Sequence, residues 1–516
     1  MASASRTHSR WIIPVLVVPA ALGVVFVVLS TRWGAGTSPD SAGYVSVARN
    51  LLAGHGYRGL HGGYATVWPP LYTYALTVAG ALGLDVLVAS RWINAALFGV
   101  NILLVGFILR YYVRRSWVAI LGAVLTASSI DLIRVHSMVW SEPLYTCFAL
   151  TGLWLLAVYI DRPDRRVLVA CAVAVALTAF TRYVGVSLIV AAGLLIVFAP
   201  TRRWTRRLVD ALLFGAIAAA PLACWLARNA LVAGSSSGRT IALHPIQPHH
   251  IEAAAAAMSL WLLPEWIPAA VRIAALIVVA AAVIVLAIVL ARAPKRDDNA
   301  AERPRWPWLA VAMGTFGVAY LVQHVIAISF FDKFLDLQFR QTAPLFPVLT
   351  IVALCVLDQL LGRLRRAPRI VLTVLVMLAA LWQVNRAAWR VNWYAIDGLG
   401  LAGSRWRDSA LVQQIKQLDP GVPVFTNSGE IIYFLADRIP EGIPAKYNYR
   451  TGEPNADIAA ELDAMKTRLE HDNGVIVYFE NVPGRRYLTS REELERAMPL
   501  RIRRTTPDGV IYEIDR

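Results

Sequence analysis

Apolar residues along this chain gather in long runs, broken by short polar connections, and not in the tight alternation of a half-buried sheet. A helix that crosses a bilayer needs about 20 mostly apolar residues, because every backbone polar group must be satisfied inside the hydrocarbon. Eleven stretches read as such helices: 11–30, 86–109, 117–133, 138–160, 167–181, 183–200, 208–228, 269–291, 307–329, 343–361 and 369–386. No A-x-A-like site closes the first run, so it reads as an uncleaved span.

The connections divide by charge. Alternate ones carry clusters: Arg6 and Arg10; Arg110, Arg114 and Arg115; Arg162, Arg165 and Arg166; Arg202, Arg203, Arg206 and Arg207; Arg292, Lys295, Arg296, Arg303 and Arg305; Arg363, Arg365, Arg366 and Arg369. The others carry scattered single charges. Basic loops stay in the cytosol, so the pattern predicts a cytoplasmic N-terminus. After eleven crossings the segment from about 387 is outside, together with 31–85, 229–268 and 330–342.

That last segment changes grammar. Ser404 opens an amphipathic helix to about Leu418, and Val422–Thr426 and Gly474–Phe479 read as strands. Ser490 with Glu493 forms a capping box for a helix to Met498, and Leu500–Thr505 and Gly509–Ile514 form a hairpin across Pro507-Asp508-Gly509. The expected architecture is mainly α: a polytopic membrane domain over 1–390, with a long first outer loop at 31–85, then a small extracytoplasmic α/β domain over 391–516.

Composition agrees with that division. The 516 residues are 57% hydrophobic and 16% charged, where an ordinary soluble chain is about a quarter charged. The net charge of +16 does not imply nucleic acid. From Asp397 onward there are 16 basic and 19 acidic residues, which leaves 34 and 15 before it, so the excess belongs to the membrane part. All four cysteines (Cys147, Cys171, Cys224, Cys355) fall in or beside apolar runs and read as packing residues. No G-x-x-x-x-G-K-[ST] run lies in a cytoplasmic loop, so ATP-driven transport has no support.

Candidate chemistry concentrates in the first outer loop, since long ordered loops tend to carry function. From Asp40 to Leu52 the apolar residues Val45, Val47, Ala48, Leu51 and Leu52 share a face, which predicts a helix lying in the membrane interface. Asp40 follows Pro39 at its N-terminus, where the helix dipole favours a carboxylate. Such a group either caps the helix or, at the membrane surface, takes a proton from an acceptor hydroxyl. Tyr44 on this helix and Trp68 beside Pro69-Pro70 are candidate substrate contacts, the indole as a sugar-stacking wall.

Arg182 and Arg340 sit at outer helix boundaries, where a guanidinium either snorkels to headgroups or holds two phosphate oxygens in a fork. Lys333 reads as a headgroup contact. Glu142 opens the fourth span and is costly there unless paired, with Arg134 or Arg182 as partner, or with a sugar to orient. In the loop 229–268, His244, His249, His250 and Glu252 match no metal spacing, and adjacent histidines on a helix diverge by about 100°. A metal is not expected; His249 reads as an acceptor or phosphate contact.

Several motifs, in order and on one side of the membrane, resemble bacterial C-type-fold glycosyltransferases, the superfamily of protein O-mannosyltransferases and lipid A aminoarabinose transferases. They are DSAGYVSVARNLLAGHGY (Asp40–Tyr57), VWPPLY (Val67–Tyr72), SEPL (Ser141–Leu144), TRYVG (Thr181–Gly185) and RQTAPLFP (Arg340–Pro347). The resemblance implies a multispanning enzyme of the cytoplasmic membrane without cofactor. Its donor would be a polyprenyl-phosphate sugar and its acceptor a lipid, glycan or protein, with the acidic residue of the first outer loop, here Asp40, as base. Ser41 departs from the protein O-mannosyltransferase pattern, where a second acidic residue follows. The rival reading is a transporter or flippase of lipid-linked saccharides, for which internal repeats and charged mid-membrane segments would be expected and neither is seen.

Overall fold

A computed structural model describes residues 12–199, 203–292 and 306–515. Arg6, Arg10, Arg202, Lys295, Arg296, Arg303 and Arg305 of the basic clusters lie outside the described residues.

Each of the eleven apolar stretches is helical, but not all have membrane length. Among the described residues eight helices are long and apolar enough to cross: Ile12–Ser30, Val86–Tyr112, Glu142–Asp161, Trp204–Ala233, Ala269–Arg292, Trp306–Phe330, Leu345–Arg363 and Arg366–Asp397. The stretch expected as a third straight span is broken by 58° between Ser116–Ala127 and Ile130–His136; counted as one crossing, it raises the number to nine. The break has a local cause. Ser128 turns its hydroxyl back to the Val124 carbonyl (2.9 Å), and Ser129 caps the next helix by accepting from the Leu132 N–H. The fifth and sixth stretches form shorter helices, Arg165–Thr181 and Val186–Phe198, so the eleven expected stretches appear as eight helices of full membrane length, one broken pair and two short helices.

Between those two short helices, Arg182 is extended (φ −150°, ψ 139°) and a 3₁₀ turn over Tyr183–Gly185 follows. A Cβ on Gly185 would lie 2.6 Å from the Ala179 backbone, so only glycine lets the corner close. The membrane core is apolar side chains at full burial, among them Val105, Ile108, Leu153, Leu188 and Phe316. In Ala269–Arg292 and Arg366–Asp397 only 6% of the most apolar window is buried within the protein, which leaves these helices to face lipid.

Asp358, fully buried, is a fixed point of the core. It accepts from the backbone N–H groups of Arg114 (2.8 Å) and Arg115 (3.2 Å) and pairs with the Arg115 guanidinium at 2.9 Å.

The tail is a five-stranded sheet in the order β2-β1-β3-β5-β4. Here β1 is Val424–Thr426, β2 Glu441–Gly442, β3 Val475–Phe479, β4 Leu500–Thr506 and β5 Gly509–Ile514. β1 runs parallel to β2 and β3; β5 is antiparallel to β3 and β4. The Ser490–Glu493 capping box forms in both directions. The helix expected from Ser404 to Leu418 is instead two, Ser404–Arg407 and Ala410–Lys416, because Ser409 starts a new helix by accepting from the Val412 N–H (3.0 Å). Helices Gly429–Leu435 and Ile458–His471 complete the layer, and the last membrane helix runs on to Asp397, past the expected boundary at 390.

The tail is fastened to the first loop. Trp33 donates to the Ala395 carbonyl (3.1 Å) and lies under Arg407, and Arg49 donates to the Tyr433 hydroxyl (3.1 Å). Thr37 pairs with Gly400, whose φ is +57° and where a Cβ would lie 2.4 Å from the Thr37 carbonyl oxygen.

Replacing Asp358 with Ala leaves the half-buried Arg115 guanidinium and the N–H groups of Arg114 and Arg115 without their acceptor, at a cost of about 1–3 kcal/mol. A lowered midpoint of thermal unfolding in detergent is expected; an unchanged midpoint would show that the pair does not hold the helices together.

Candidate active site

The helix Pro39–Leu52 places Asp40. Ser38 is its N-cap, with Pro39 in the first turn, and the Ser38 N–H donates to the Ser41 hydroxyl (3.0 Å). Asp40 is therefore not the cap, and its carboxylate is free to reach across the molecule. The helix does not lie loose on the membrane as its apolar face suggested: Val45, Val47 and Ala48 are buried among Tyr72, Leu76, Tyr57 and Trp225. Ser41 donates to the Val139 carbonyl (3.0 Å) and Trp140 donates to the Ser38 hydroxyl (2.8 Å), which pins the helix start to the segment before Glu142.

Three distant stretches meet there. Arg340, on the short helix Phe339–Thr342, donates from one terminal nitrogen to Asp40 and from Nε to Glu142, each at 2.5 Å. Arg182, presented by the extended corner, pairs with the same Glu142 oxygen at 2.6 Å and donates to Ser141 Oγ at 3.1 Å. Glu142 is 1% exposed, and its second oxygen has no hydrogen-bond partner. Asp40, at 34% side-chain exposure, is the open end of the network. The Arg340 guanidinium lies 4.2 Å from the Trp140 ring centre, which fixes its plane. Arg134, a candidate partner of Glu142, instead stacks on Phe339 at 3.8 Å.

Tyr44 and Trp68 form a wall beside this cluster, with rings 5.5 Å apart. The Tyr44 hydroxyl shares a hydrogen bond with Ser141 Oγ (3.0 Å), so Tyr44, Ser141 and Arg182 make one chain. Gly43 permits the indole to close in, since a Cβ there would meet Trp68 at 2.4 Å. Burial pushes the Tyr44 phenol up to about 12, which keeps it a neutral donor.

Burial alone would raise the pKa of Asp40. The charge and hydrogen bond of Arg340, then the charges of Arg182 and Arg450, outweigh it and hold the carboxyl below the ordinary carboxylate range. Desolvation would lower Arg340, but Glu142 and Asp40 raise it above its usual value. Arg450 comes from the tail, where sequence gave no hint of a role near Asp40. With Arg239 it flanks Asp332, whose carboxyl is raised by burial against the pull of both arginines. Arg239 has a buried Nε with no hydrogen-bond partner, and its pKa is lowered by burial and by the like charge of Arg450. Neither Arg239 nor Arg450 was singled out in the sequence, because each is a lone arginine in a loop.

His249 is brought elsewhere, 3.8 Å from Asp336. His249, His250 and Asp336 have ligand atoms within 4.8 Å of one another. The divergence expected for adjacent histidines fails here: the rings are 3.9 Å apart, because His250 turns back to accept from the Gln247 N–H (3.1 Å). That bond occupies Nδ1, so the buried Nε2 carries the proton and offers no lone pair. The trio does not fit a metal. Lys333 donates its backbone N–H to the Arg450 carbonyl (2.9 Å).

A multi-pass helical membrane domain with a small sheet domain, and an ion network of two carboxylates and two arginines where they meet, define the class. No family model matches the chain, and no curated protein matches it. Solved structures do. ArnT from Cupriavidus metallidurans, in the apo state, aligns over 96% of this chain and 97% of its own at a TM-score of 0.61 and 15% identity; the form bound to undecaprenyl phosphate gives 0.58. AglB, the oligosaccharyltransferase of Archaeoglobus fulgidus, covers 99% of this chain and 75% of its own at 0.54 and 13% identity. The mycobacterial arabinofuranosyltransferase AftD gives 0.53 at 16% identity, with 97% of this chain matching 41% of that one. The chain has the C-type glycosyltransferase fold.

Glu142→Gln would leave two arginines without their shared charge in a dry site, at a cost of about 3 kcal/mol. Asp40→Asn, at the open end, is expected to leave the midpoint within a degree or two of wild type. Thermal unfolding of the two variants in detergent checks the contrast, and equal losses would refute it.

Proposed function

We propose that this protein is an inverting membrane glycosyltransferase. It takes a sugar from a polyprenyl-phosphate donor and passes it to an acceptor hydroxyl on the outer face of the cytoplasmic membrane. The observation that carries this reading is the Asp40–Arg340–Glu142–Arg182 network on a fold that it shares with AglB and ArnT. ArnT was solved bound to undecaprenyl phosphate, and AglB with a dolichol-phosphate and an inhibitory peptide.

Asp40 is the general base. As the acceptor oxygen bonds to the anomeric carbon, its proton passes to the Asp40 carboxylate and the bond from that carbon to the phosphate oxygen breaks. The lipid phosphate leaves carrying the electron pair. Fixed guanidinium groups are the natural counter-charge for it in a water-poor site. Arg182 and Arg340 are both engaged by carboxylates before donor arrives, so a phosphate enters by sharing them. Arg450, which has no carboxylate within salt-bridge distance among the described residues, adds cationic charge near Asp40, and Arg239 lies beside it and Asp332.

Sharing has a chemical consequence. A carboxylate gripped by Arg340 is a weak base, because its proton affinity is depressed. A phosphate that draws Arg340 toward itself loosens that grip and raises the basicity of Asp40 when the donor is bound. Trp68 and Tyr44 flank the sugar, and Glu142 holds both arginines in place. In this orientation the N-terminus is cytoplasmic and the tail extracytoplasmic, as the basic loops imply. His249 lies beside Asp336 in the outer loops, where it would touch the acceptor.

Asp40→Asn is expected to reduce transfer by about 10²- to 10⁴-fold. The assay is release of lipid phosphate from a panel of radiolabelled polyprenyl-phosphate sugars, and full activity would reject the assignment.

The pH profile follows from the sign of the shift. The folded pKa of Asp40 is depressed, so the free enzyme keeps its base ionised from neutrality down through the ordinary carboxylate range, and kcat/KM falls only below it. In Arg340→Gln burial dominates, and the acid limb of kcat/KM moves to higher pH. A limb that stays in place would show that Arg340 does not set the basicity of Asp40.

A further inference from the structure

We propose that the tail carries a saccharide-binding cleft that holds the acceptor glycan and leads it to Asp40; the proposal rests on the glycosyltransferase reading. A cavity of about 1050 Å³ opens between the tail and the connection that follows Phe330. Small-molecule sites span roughly 300–1,000 Å³, so this one exceeds the needs of a single sugar.

Its walls have the chemistry of sugar recognition. Phe334, Tyr447, Tyr449, Tyr478 and Tyr487 supply ring faces. Tyr449 and Tyr487 lie with centroids 5.4 Å apart and Phe334 and Tyr447 at 6.4 Å, two tilted pairs and not a sealed core. Pyranose C–H faces stack on such rings, while hydroxyls need donors and acceptors at the edges. Asn481, Glu480, Asp336 and Arg486 are those edges. Arg486 is exposed and has no ion-pair or hydrogen-bond partner among the described residues, whereas its neighbour Arg485 is held by Glu430.

The position in the fold is independent support. Asn427 follows β1 and Glu480 follows β3, so the cavity lies at the carboxyl ends of the two parallel strands, the place where open α/β sheets bind ligands. Asn481, on the lip, holds a left-handed φ of +57°, a conformation that costs energy and recurs at binding sites. A peptide would be expected to add to a free sheet edge. The edges here are β2 and β4, and neither lines the cavity. The carboxylates and amides of the lining disfavour an acyl chain. The cleft also points at the chemistry: Tyr449 adjoins Arg450, and the charge of Asp40 is felt at both.

The test is saturation-transfer NMR on the full-length protein in detergent. The probes are linear tetra- to hexasaccharides of mannose, arabinose, galactose and glucose, with a Ser/Thr-rich peptide as the other arm. At least one saccharide is expected to bind, with affinity about tenfold lower in Tyr487→Ala, retained in Tyr487→Phe, and lowered in Arg486→Ala. Asp40→Asn should bind as wild type does. Failure of every saccharide to bind, binding unchanged in both Tyr487→Ala and Arg486→Ala, or binding of the peptide alone would overturn the cleft. Loss of the enzyme reading is separable: it would show as saccharide binding with no release of lipid phosphate from any donor.

Discussion

One guanidinium joins parts of this molecule that lie far apart along the chain. Arg340 reaches Asp40 on the first-loop helix and Glu142 at the start of a membrane helix, and Glu142 in turn holds Arg182 at the corner between two others. An ionised carboxylate at 1% exposure is unfavourable unless its charge is met, and two arginines meet it. The loop, the corner and the short helix Phe339–Thr342 are thereby set to one geometry. Asp40, about a third exposed, is left as the most open member.

That geometry is completed from a distance. The tail closes over the first loop through Arg49 and Tyr433, through Trp33 beneath Arg407, and through the Thr37–Gly400 pairing. It also delivers Arg450 into the field of Asp40. The sheet domain therefore contributes to the electrostatics around Asp40. Lipid-facing helices such as Ala269–Arg292 stand at the other extreme, anchoring the protein by apolar area and little else.

The likeness to ArnT, AglB and AftD rests on shape at 13–16% identity. Sequence at that distance has lost most positional information, yet the fold persists over 96–99% of this chain. A bilayer constrains composition only to being apolar, so the surfaces drift freely. A Cβ at Gly185 would clash with the Ala179 backbone, and losing one buried ion of the network would leave another unpaired, so change is costlier there.

The sequence alone determined the apolar runs, the asymmetry of basic loops, the capping box at Ser490 and the Pro-Asp-Gly hairpin, because each depends on residues near one another along the chain. It also drew attention to Asp40, Glu142, Arg182 and Arg340 one at a time, as charges where charge is expensive. Tertiary structure decided the rest. Only folding could bring residues 40, 142, 182 and 340 to shared hydrogen bonds, transfer the cap from Asp40 to Ser38, or break the third span at Ser128-Ser129. Nothing local marks Arg239 or Arg450 as neighbours of the site. Their meaning is a matter of distance through space, which a linear pattern does not encode.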